Sequence, residues 1–181
     1  MIRPATPADV PEIHAMVREL AEYEKALSDA KATEQQLLDA LFGEHPAVFA
    51  HVAEDGDGDG AVGGDGVGGG RKAGGGAGGG AIVGFALWFR NFSTWNGTHG
   101  IYLEDLYVRP HARGAGHGKA LLTELARICV ERGYGRLEWS VLDWNEPSIA
   151  FYRALGAVAM DGWTVHRLDG GALASLGAAS A

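Results

Sequence analysis

The sequence contains a single cysteine, Cys129, and no long apolar run. One cysteine excludes an internal disulfide framework and is typical of a reducing compartment. No apolar stretch approaches the ~20 residues that a bilayer span needs, which excludes a transmembrane protein. The first residues, from Met1 to Thr6, lack the apolar segment of a secretion signal. The sequence therefore predicts a cytoplasmic protein without a membrane partner.

Positive charge is also scarce. The chain has 15 Lys and Arg residues against 23 Asp and Glu residues, which gives a formal net charge of -8. This acidic balance argues against a nucleic-acid partner and is compatible with a cationic substrate. The seven histidines show no metal-ligand spacing, so we expect no metal.

Glycine is concentrated in one tract. Of the 29 glycines in the 181 residues, 15 fall within Gly56–Gly80. This tract cannot bury enough apolar surface to offset its ordering entropy, so we expect a disordered loop. A calcium-binding repeat would need aspartates where the tract has glycine, and a nucleic-acid tail would need more arginines than Arg71. Strand-like segments flank the tract, which predicts a hairpin insertion within one domain covering residues 1–181.

The remaining residues alternate between helical and strand-like patterns. Helices are expected from Val10 to about Tyr23, after the capping pair Thr33 and Gln36, from Gly118 to before Gly133, and over Pro147–Leu155. Strands are expected over Ala47–Ala53, Ile82–Phe89, His99–Val108, Arg136–Leu142 and, as closing strands, Ala157–Leu168. This order predicts an α/β fold with a mixed, mostly antiparallel sheet between two layers of helices.

A glycine-rich helix start carries the clearest chemical signal, and it comprises Arg113, Gly114, Ala115, Gly116, His117, Gly118 and Lys119. Alternate glycines let bare backbone N–H groups converge on an anion at the positive end of a helix. The pattern is neither a Walker loop, since Arg113 and Ala120 stand at two of its required positions, nor a dinucleotide fingerprint, since Lys119 replaces its third glycine. A phosphate or pyrophosphate ligand is therefore expected.

The Arg-x-x-Gly-x-Gly pattern follows a strand that ends in Val108-Arg109-Pro110. This combination resembles the acetyl-CoA motif of the GNAT acetyltransferase superfamily. Further segments resemble its diamine (spermidine/spermine) and thialysine acetyltransferase branch: residues 2–6, 19–24, 42–46, 102–105 and 144–152. The resemblance implies the GNAT fold, acetyl-CoA as co-substrate, a small diamine, polyamine or thialysine-like amine as acceptor, and a homodimer.

Acetyl transfer to an amine sets chemical requirements of its own. An alkyl ammonium with a pKa near ~10.4 must lose a proton before its nitrogen can attack a thioester. The thiolate must be protonated as it leaves, and the tetrahedral oxyanion needs a hydrogen-bond donor. The resemblance implies that Glu104 is the base, acting through water, and that Tyr152 is the acid. Asp105 would then help to hold a cationic nitrogen.

The resemblance also implies the binding residues. Tyr23, Glu24 and the late aromatic Trp163 would contact the amine. The cofactor would contact the glycine-rich helix start together with Leu106, Tyr107, Val108, Asn145 and Ser148. The basic stretch that the family has after its catalytic tyrosine is reduced here to Arg153-Ala154-Leu155.

Plainer interpretations of these residues stay open. Glu104 and Asp105 are adjacent in a strand and, without a bulge, would point to opposite faces as ordinary edge carboxylates. Tyr152 and Trp163 could be packing residues, and Ser148 a helix cap. The competing functions are acetylation of another amine, such as an amino acid, an antibiotic or a protein terminus, and acyl-CoA binding by a regulator without catalysis.

Overall fold

The computed structural model describes residues 1–56 and 80–179. It divides into two compact units, Met1–Ser140 and Val141–Ala181. The predicted loop over Gly56–Gly80 falls almost wholly outside the described residues, and the single-domain assignment stays a prediction.

The first unit contains a five-stranded sheet in the order β1-β2-β3-β4-β5. Its strands are β1 (Ile2–Pro4), β2 (Phe49–Glu54), β3 (Ile82–Ser93), β4 (Thr98–Val108) and β5 (Leu137–Trp139). The first four strands pair antiparallel, and β5 pairs parallel to β4. The mixed, mostly antiparallel sheet expected from the sequence is confirmed. The three-residue strand β1 was not expected, because it is too short to show alternation.

Helices cover both faces of this sheet. On one face, α1 (Val10–Tyr23) and α2 (Glu34–Phe42) share a buried core with β2, β3 and β4. On the other face, α3 (His117–Glu131) buries an apolar stripe that includes Leu121, Leu125 and Cys129. Because side chains alternate along each strand, the sheet supplies apolar residues to both layers. This arrangement explains why β3 reads as a nearly continuous apolar run.

Local sequence signals explain where the helices begin. Thr33 and Gln36 form the expected capping box at the start of α2, with the Thr33 amide 2.9 Å from the Gln36 side-chain oxygen. Before α1, Asp9 is 5% exposed and accepts hydrogen bonds from the Thr6 amide at 2.7 Å and from the Arg3 guanidinium at 2.6 Å. Arg3 also bonds to Glu54 at 2.7 Å, which ties β1 and β2 to the entry of α1.

Arg109 fixes α1 relative to the end of β4. Its Nη2 atom lies 2.9 Å from Glu12 and 3.0 Å from Glu19, both on α1. The guanidinium also donates to the Ile82 carbonyl oxygen at 3.2 Å. Through side chains from both halves of the helix, α1 is therefore anchored at the strand end that precedes the glycine-rich segment.

The predicted insertion lies between two neighbouring strands. β2 and β3 pair antiparallel, and beyond them the Asp55 amide donates to the Ala81 carbonyl oxygen at 2.9 Å. The tract between them therefore connects adjacent antiparallel strands, as expected of a hairpin connection.

The closing strands expected over Ala157–Leu168 are wrong. The second unit contains α4 (Glu146–Ala154) and α5 (Gly170–Ala178), and the residues between them are irregular. An alternating pattern gives a segment one apolar face, but a strand also needs an edge with which to hydrogen-bond. Here the Trp163 amide instead donates to the Met160 carbonyl oxygen, which closes a turn.

Among the described residues, every helix is too short or too polar to span a bilayer.

Candidate active site

The edge of β4 is open over its second half. β4 pairs with β5 only from Ile101 to Leu103, although it continues to Val108. Within the described part of the chain, residues 104–108 have no strand partner on that side. Part of their backbone N–H and C=O groups is therefore available to a ligand that binds alongside, as an added strand would.

A β-bulge lies where the open edge begins. Leu87 of β3 stands opposite Asp105 while the next residue, Trp88, stands opposite Leu103, so Glu104 has no partner across the pair. The expectation that the two carboxylates point to opposite faces assumed a strand without a bulge, and the bulge removes that assumption. Glu104 is exposed, whereas Asp105 is half-buried.

Burial and neighbouring charge make Asp105 an unusual carboxyl group. Burial, together with the negative charges of Glu104 and Glu24, raises its pKa from 3.8 to about 6. Glu24 follows the last residue of α1, and burial also raises its pKa. Three carboxyl groups thus share one region, and each would be stabilised by a bound cation. This arrangement fits an acceptor that arrives as an ammonium ion.

An arginine links this region to the glycine-rich segment. The Arg113 guanidinium carbon lies 5.4 Å from the centre of the Tyr23 ring and 5.6 Å from that of Tyr107. Its Nε donates to the Val108 carbonyl oxygen at 2.9 Å. Sequence reasoning missed this contact, because positions 23 and 113 are 90 positions apart in the chain and share no local signal.

The glycine-rich segment has the backbone geometry of an anion site. Gly114 and Gly116 have φ angles of 84° and 88°, in the left-handed region that favours glycine. The first helical hydrogen bond of α3 runs from the Ala120 amide to the Gly116 carbonyl, so the preceding amides of the first turn point outward. No heavy atom lies within 4 Å of where a Cβ would stand on either glycine, which leaves room for a phosphate to approach.

Other predicted cofactor residues surround this site within the first unit. Leu106 and Val108 stand opposite Ala86 and Gly84 of β3, and Tyr107 joins the core under α1. Lys119 and Ala115 are exposed. The His117 Nε2 atom is buried without a hydrogen bond and lies 3.6 Å from an Asp55 carboxylate oxygen.

The residues of the second unit are described by themselves. Asn145 is buried and caps α4, and its side-chain oxygen accepts a hydrogen bond from the Ser148 amide at 3.4 Å. The cap is therefore Asn145, and the alternative that Ser148 is the cap is wrong. Tyr152 lies seven residues further along the same helix and is half-buried beside Phe151, with 5.3 Å between ring centres.

Trp163 lies in the irregular stretch of the second unit and is 69% exposed. The alternative that it packs in the core is therefore wrong for the described chain, whereas packing in a dimer stays a prediction. Its contact with the amine, like the roles of Tyr152, Asn145 and Ser148, stays a prediction. The described residues contain no group of three or more His, Cys, Asp or Glu side chains that could hold a metal ion.

We expect Asp105→Asn to raise the free energy of unfolding at pH 8, because it removes a carboxylate that burial and two like charges disfavour. The folded-state pKa of about 6 exceeds the ordinary 3.8, so the unmodified protein loses stability as the pH rises between those values. The increase in the free energy of unfolding caused by Asp105→Asn is about 1–3 kcal/mol above about pH 6, and it vanishes near about pH 4.

Urea unfolding at the two pH values measures this difference. An exposed carboxylate that does not act on Asp105 provides the control, since Asp29→Asn is expected to change stability by less than ~0.5 kcal/mol at either pH. A loss of stability in Asp105→Asn at pH 8 would contradict the assigned electrostatics.

Known proteins resemble this chain over nearly its full length. Thialysine N-epsilon-acetyltransferase of Bos taurus is 36% identical over 97% of this chain and 96% of its own length. L-ornithine N5-acetyltransferase of Arabidopsis thaliana is 32% identical over 97% of this chain and 86% of its own. A V. cholerae integron cassette protein of known structure superposes with a TM-score of 0.72, at 25% identity and over 98% and 96% of the two chains.

The sequence model of the Acetyltransferase (GNAT) family matches residues 70–157. This range includes the open half of β4, the glycine-rich segment and α4. The chain therefore belongs to the GNAT family of acetyltransferases.

Proposed function

We propose that this enzyme transfers the acetyl group of acetyl-CoA to a primary amine of a small molecule that carries at least two amino groups. The observation that carries the proposal is the group of three carboxyls formed by Glu24, Glu104 and Asp105 at the bulge of β4. Such a group attracts a polycation far more strongly than a neutral or anionic acceptor. It lies at the start of the open strand edge, where GNAT chemistry needs the acceptor nitrogen.

Proton removal from the acceptor is assigned to Glu104. An alkyl ammonium holds its proton at neutral pH, so the attacking nitrogen needs a base within reach. Glu104 is exposed, and no residue of β3 stands opposite it in the strand pairing. This position suits a group that accepts the proton through water. Asp105, with its pKa of about 6, is mostly ionised at neutral pH and holds the cationic nitrogen or the second ammonium in place.

The transfer step then proceeds by direct attack. The neutral nitrogen forms a bond to the thioester carbonyl carbon, and the carbon–sulfur bond breaks. A backbone N–H on the open edge of β4 stabilises the oxyanion of the tetrahedral intermediate. Tyr152 of α4 donates its phenolic proton to the departing thiolate. The nitrogen releases its surplus proton to solvent as the amide forms, and solvent returns a proton to Tyr152. The products are the N-acetylated amine and CoA.

The glycine-rich segment is assigned to the pyrophosphate of acetyl-CoA. The amides of His117, Gly118 and Lys119 open α3 and have no helical acceptor. The left-handed glycines before them leave the approach clear, and the helix dipole adds a favourable potential. The acetyl-bearing arm then runs back along the open edge of β4 toward Asp105. We further propose a homodimer, on the resemblance alone, and a cytoplasmic location, which the single cysteine favours.

An amine panel with CoA-thiol detection tests this function. We expect the enzyme to release CoA faster with thialysine, ornithine, putrescine or spermidine than with butylamine. A second cationic group on the acceptor is attracted by the three carboxyls. Aminoglycosides and a peptide N-terminus complete the panel and represent the other acceptor classes. A thiol signal equal to the amine-free control for every acceptor would contradict catalysis, and preference for butylamine would contradict the diamine class.

The acid role of Tyr152 predicts a turnover defect. Tyr152→Phe keeps the ring but removes the donor, so kcat is expected to fall by about 10²–10⁴-fold with little change in either Michaelis constant. Steady-state kinetics at saturating acetyl-CoA measure this effect, and Tyr134→Phe, at a half-buried tyrosine beyond α3, is the control. If Tyr152→Phe kept full turnover while acetyl transfer was shown to be rate-limiting, Tyr152 would not be the general acid.

A further inference from the structure

A cavity of about 320 Å³ lies within the first unit, between the second half of α3 and the strands β2 and β3. This volume is at the lower end of the range of about 300–1,000 Å³ that small-molecule sites occupy. None of the residues assigned above to acetyl transfer or to CoA binding lines it. Its walls are mainly apolar and aromatic, and they include Leu41, Phe42, Phe49, Trp88 and Ile128.

The strands supply an aromatic wall to this cavity. Phe49 and His51 lie two residues apart on β2, so their side chains share one face of the sheet. Trp88 of β3 stands opposite Phe49, and the two rings stack with 4.6 Å between their centres. A flat ring that enters the cavity therefore meets aromatic side chains against which it can pack.

His51 presents a hydrogen-bond donor to the cavity. The residue is 6% exposed, and the Trp88 indole Nε1 donates to its Nδ1 atom at 3.2 Å. Burial lowers the pKa of His51 below its ordinary 6.5, so the ring is neutral at pH 7. Because an indole N–H can only donate, Nδ1 is the acceptor and the proton of the neutral ring lies on Nε2. Over residues 1–56 and 80–179, no atom accepts a hydrogen bond from this buried N–H group.

A carboxylate faces this donor across a gap. The Glu124 Oε1 atom lies 3.9 Å from His51 Nε2, which is too far for a hydrogen bond. Arg127 donates to both oxygens of Glu124, at 2.9 Å and 2.6 Å, and lowers the pKa of that carboxyl group, so Glu124 is an ionised acceptor. An oxygen placed about 2.8 Å from each atom spans the gap at an angle of about 90°.

The gap selects one kind of functional group. A hydroxyl accepts a hydrogen bond from one partner and donates its own proton to the other. A carbonyl or ether oxygen can only accept, an ammonium can only donate, and a carboxylate is repelled by Glu124. A hydroxyl therefore satisfies both His51 and Glu124, while the apolar walls favour an aromatic body behind it.

We propose that this cavity binds a neutral aromatic alcohol of the phenol class, with its ring against Phe49 and Trp88 and its hydroxyl between His51 and Glu124. This binding site is separate from the open edge of β4 and from the glycine-rich segment. The inference does not depend on the acetyl transfer proposed above, since it uses other residues and a different ligand.

Three probes that differ only at the hydroxyl test the proposal. The ¹⁵N-labelled protein, saturated with CoA, is titrated with p-cresol, 4-methylanisole or p-xylene while the Trp88 indole N–H signal is followed by NMR. Trp88→Phe assigns that signal. We expect p-cresol to bind about 10- to 100-fold more tightly than either of the other probes, because neither can both accept and donate a hydrogen bond. Equal affinities for the three probes would overturn the proposal. So would shifts over residues 104–108 with an unchanged Trp88 signal.

Two variants remove one hydrogen-bonding partner each. His51→Asn keeps an oxygen that accepts from Trp88 but loses the N–H group at Nε2, and Glu124→Gln removes the charge of the acceptor. We expect each to reduce the preference for p-cresol over p-xylene, by about tenfold in His51→Asn. The matched control is Glu131→Gln, which removes the other ion-pair partner of Arg127 on the same helix and is expected to keep the preference.

Glu124→Gln keeps the test decisive if His51→Asn does not fold, because the Glu124 side chain is partly exposed and tolerates the change. An unchanged preference in a folded His51→Asn protein overturns the hydroxyl bridge. An unchanged preference in Glu124→Gln overturns it as well, since the bridge requires both partners.

Discussion

The separation of β4 from β5 after Leu103 is the constraint on which the site depends. A strand paired on both sides would have no backbone groups left for a substrate, whereas residues 104–108 keep one edge open in the described part of the chain. The bulge at Glu104 lies at the same point and interrupts the regular alternation of side chains between Glu104 and Asp105. The strand ends at Val108, and the next residue, Arg109, forms ion pairs with Glu12 and Glu19 that hold α1 beside the strand end.

Several features of this site are unfavourable for folding. Asp105 keeps a carboxylate half-buried beside two other acidic groups, and Gly114 and Gly116 hold left-handed backbone before α3. Each feature becomes favourable in the presence of a ligand of opposite charge: an ammonium for the carboxyls, a phosphate for the helix start. The core under α1 and the network of Arg3, Asp9 and Glu54 supply the stability that such a site requires.

Local signals predicted much of the fold. The structure contains the expected capping box of Thr33 and Gln36, the helices α1 and α3 and the long apolar strands β3 and β4. Each of these elements has a sequence pattern that is contained within its own residues. β1 is too short to carry a pattern. Residues 157–168 were expected as closing strands but are irregular, because pairing depends on a strand edge that the residues of the segment do not specify.

The chemistry of the site was less predictable than its location. The glycine-rich segment and the neighbouring Glu104 and Asp105 are visible as a motif, and the structure brings Glu24 into their electrostatic range. The bulge that separates the two strand carboxylates depends on how β3 and β4 register. The packing of Arg113 on Tyr23 depends on how α1 meets the end of β4. Neither is encoded in a short stretch of sequence.

Hydrogen–deuterium exchange with and without acetyl-CoA tests most directly whether the open edge of β4 is the cofactor site. The account predicts slower exchange of the amides over residues 104–108 and at the first turn of α3, since the bound cofactor supplies their hydrogen-bond acceptors. Amides of β2, which pairs with β1 on one side and β3 on the other, are expected to exchange at the same rate in both states. Unchanged exchange at the β4 edge and the α3 start under saturating acetyl-CoA would contradict the account.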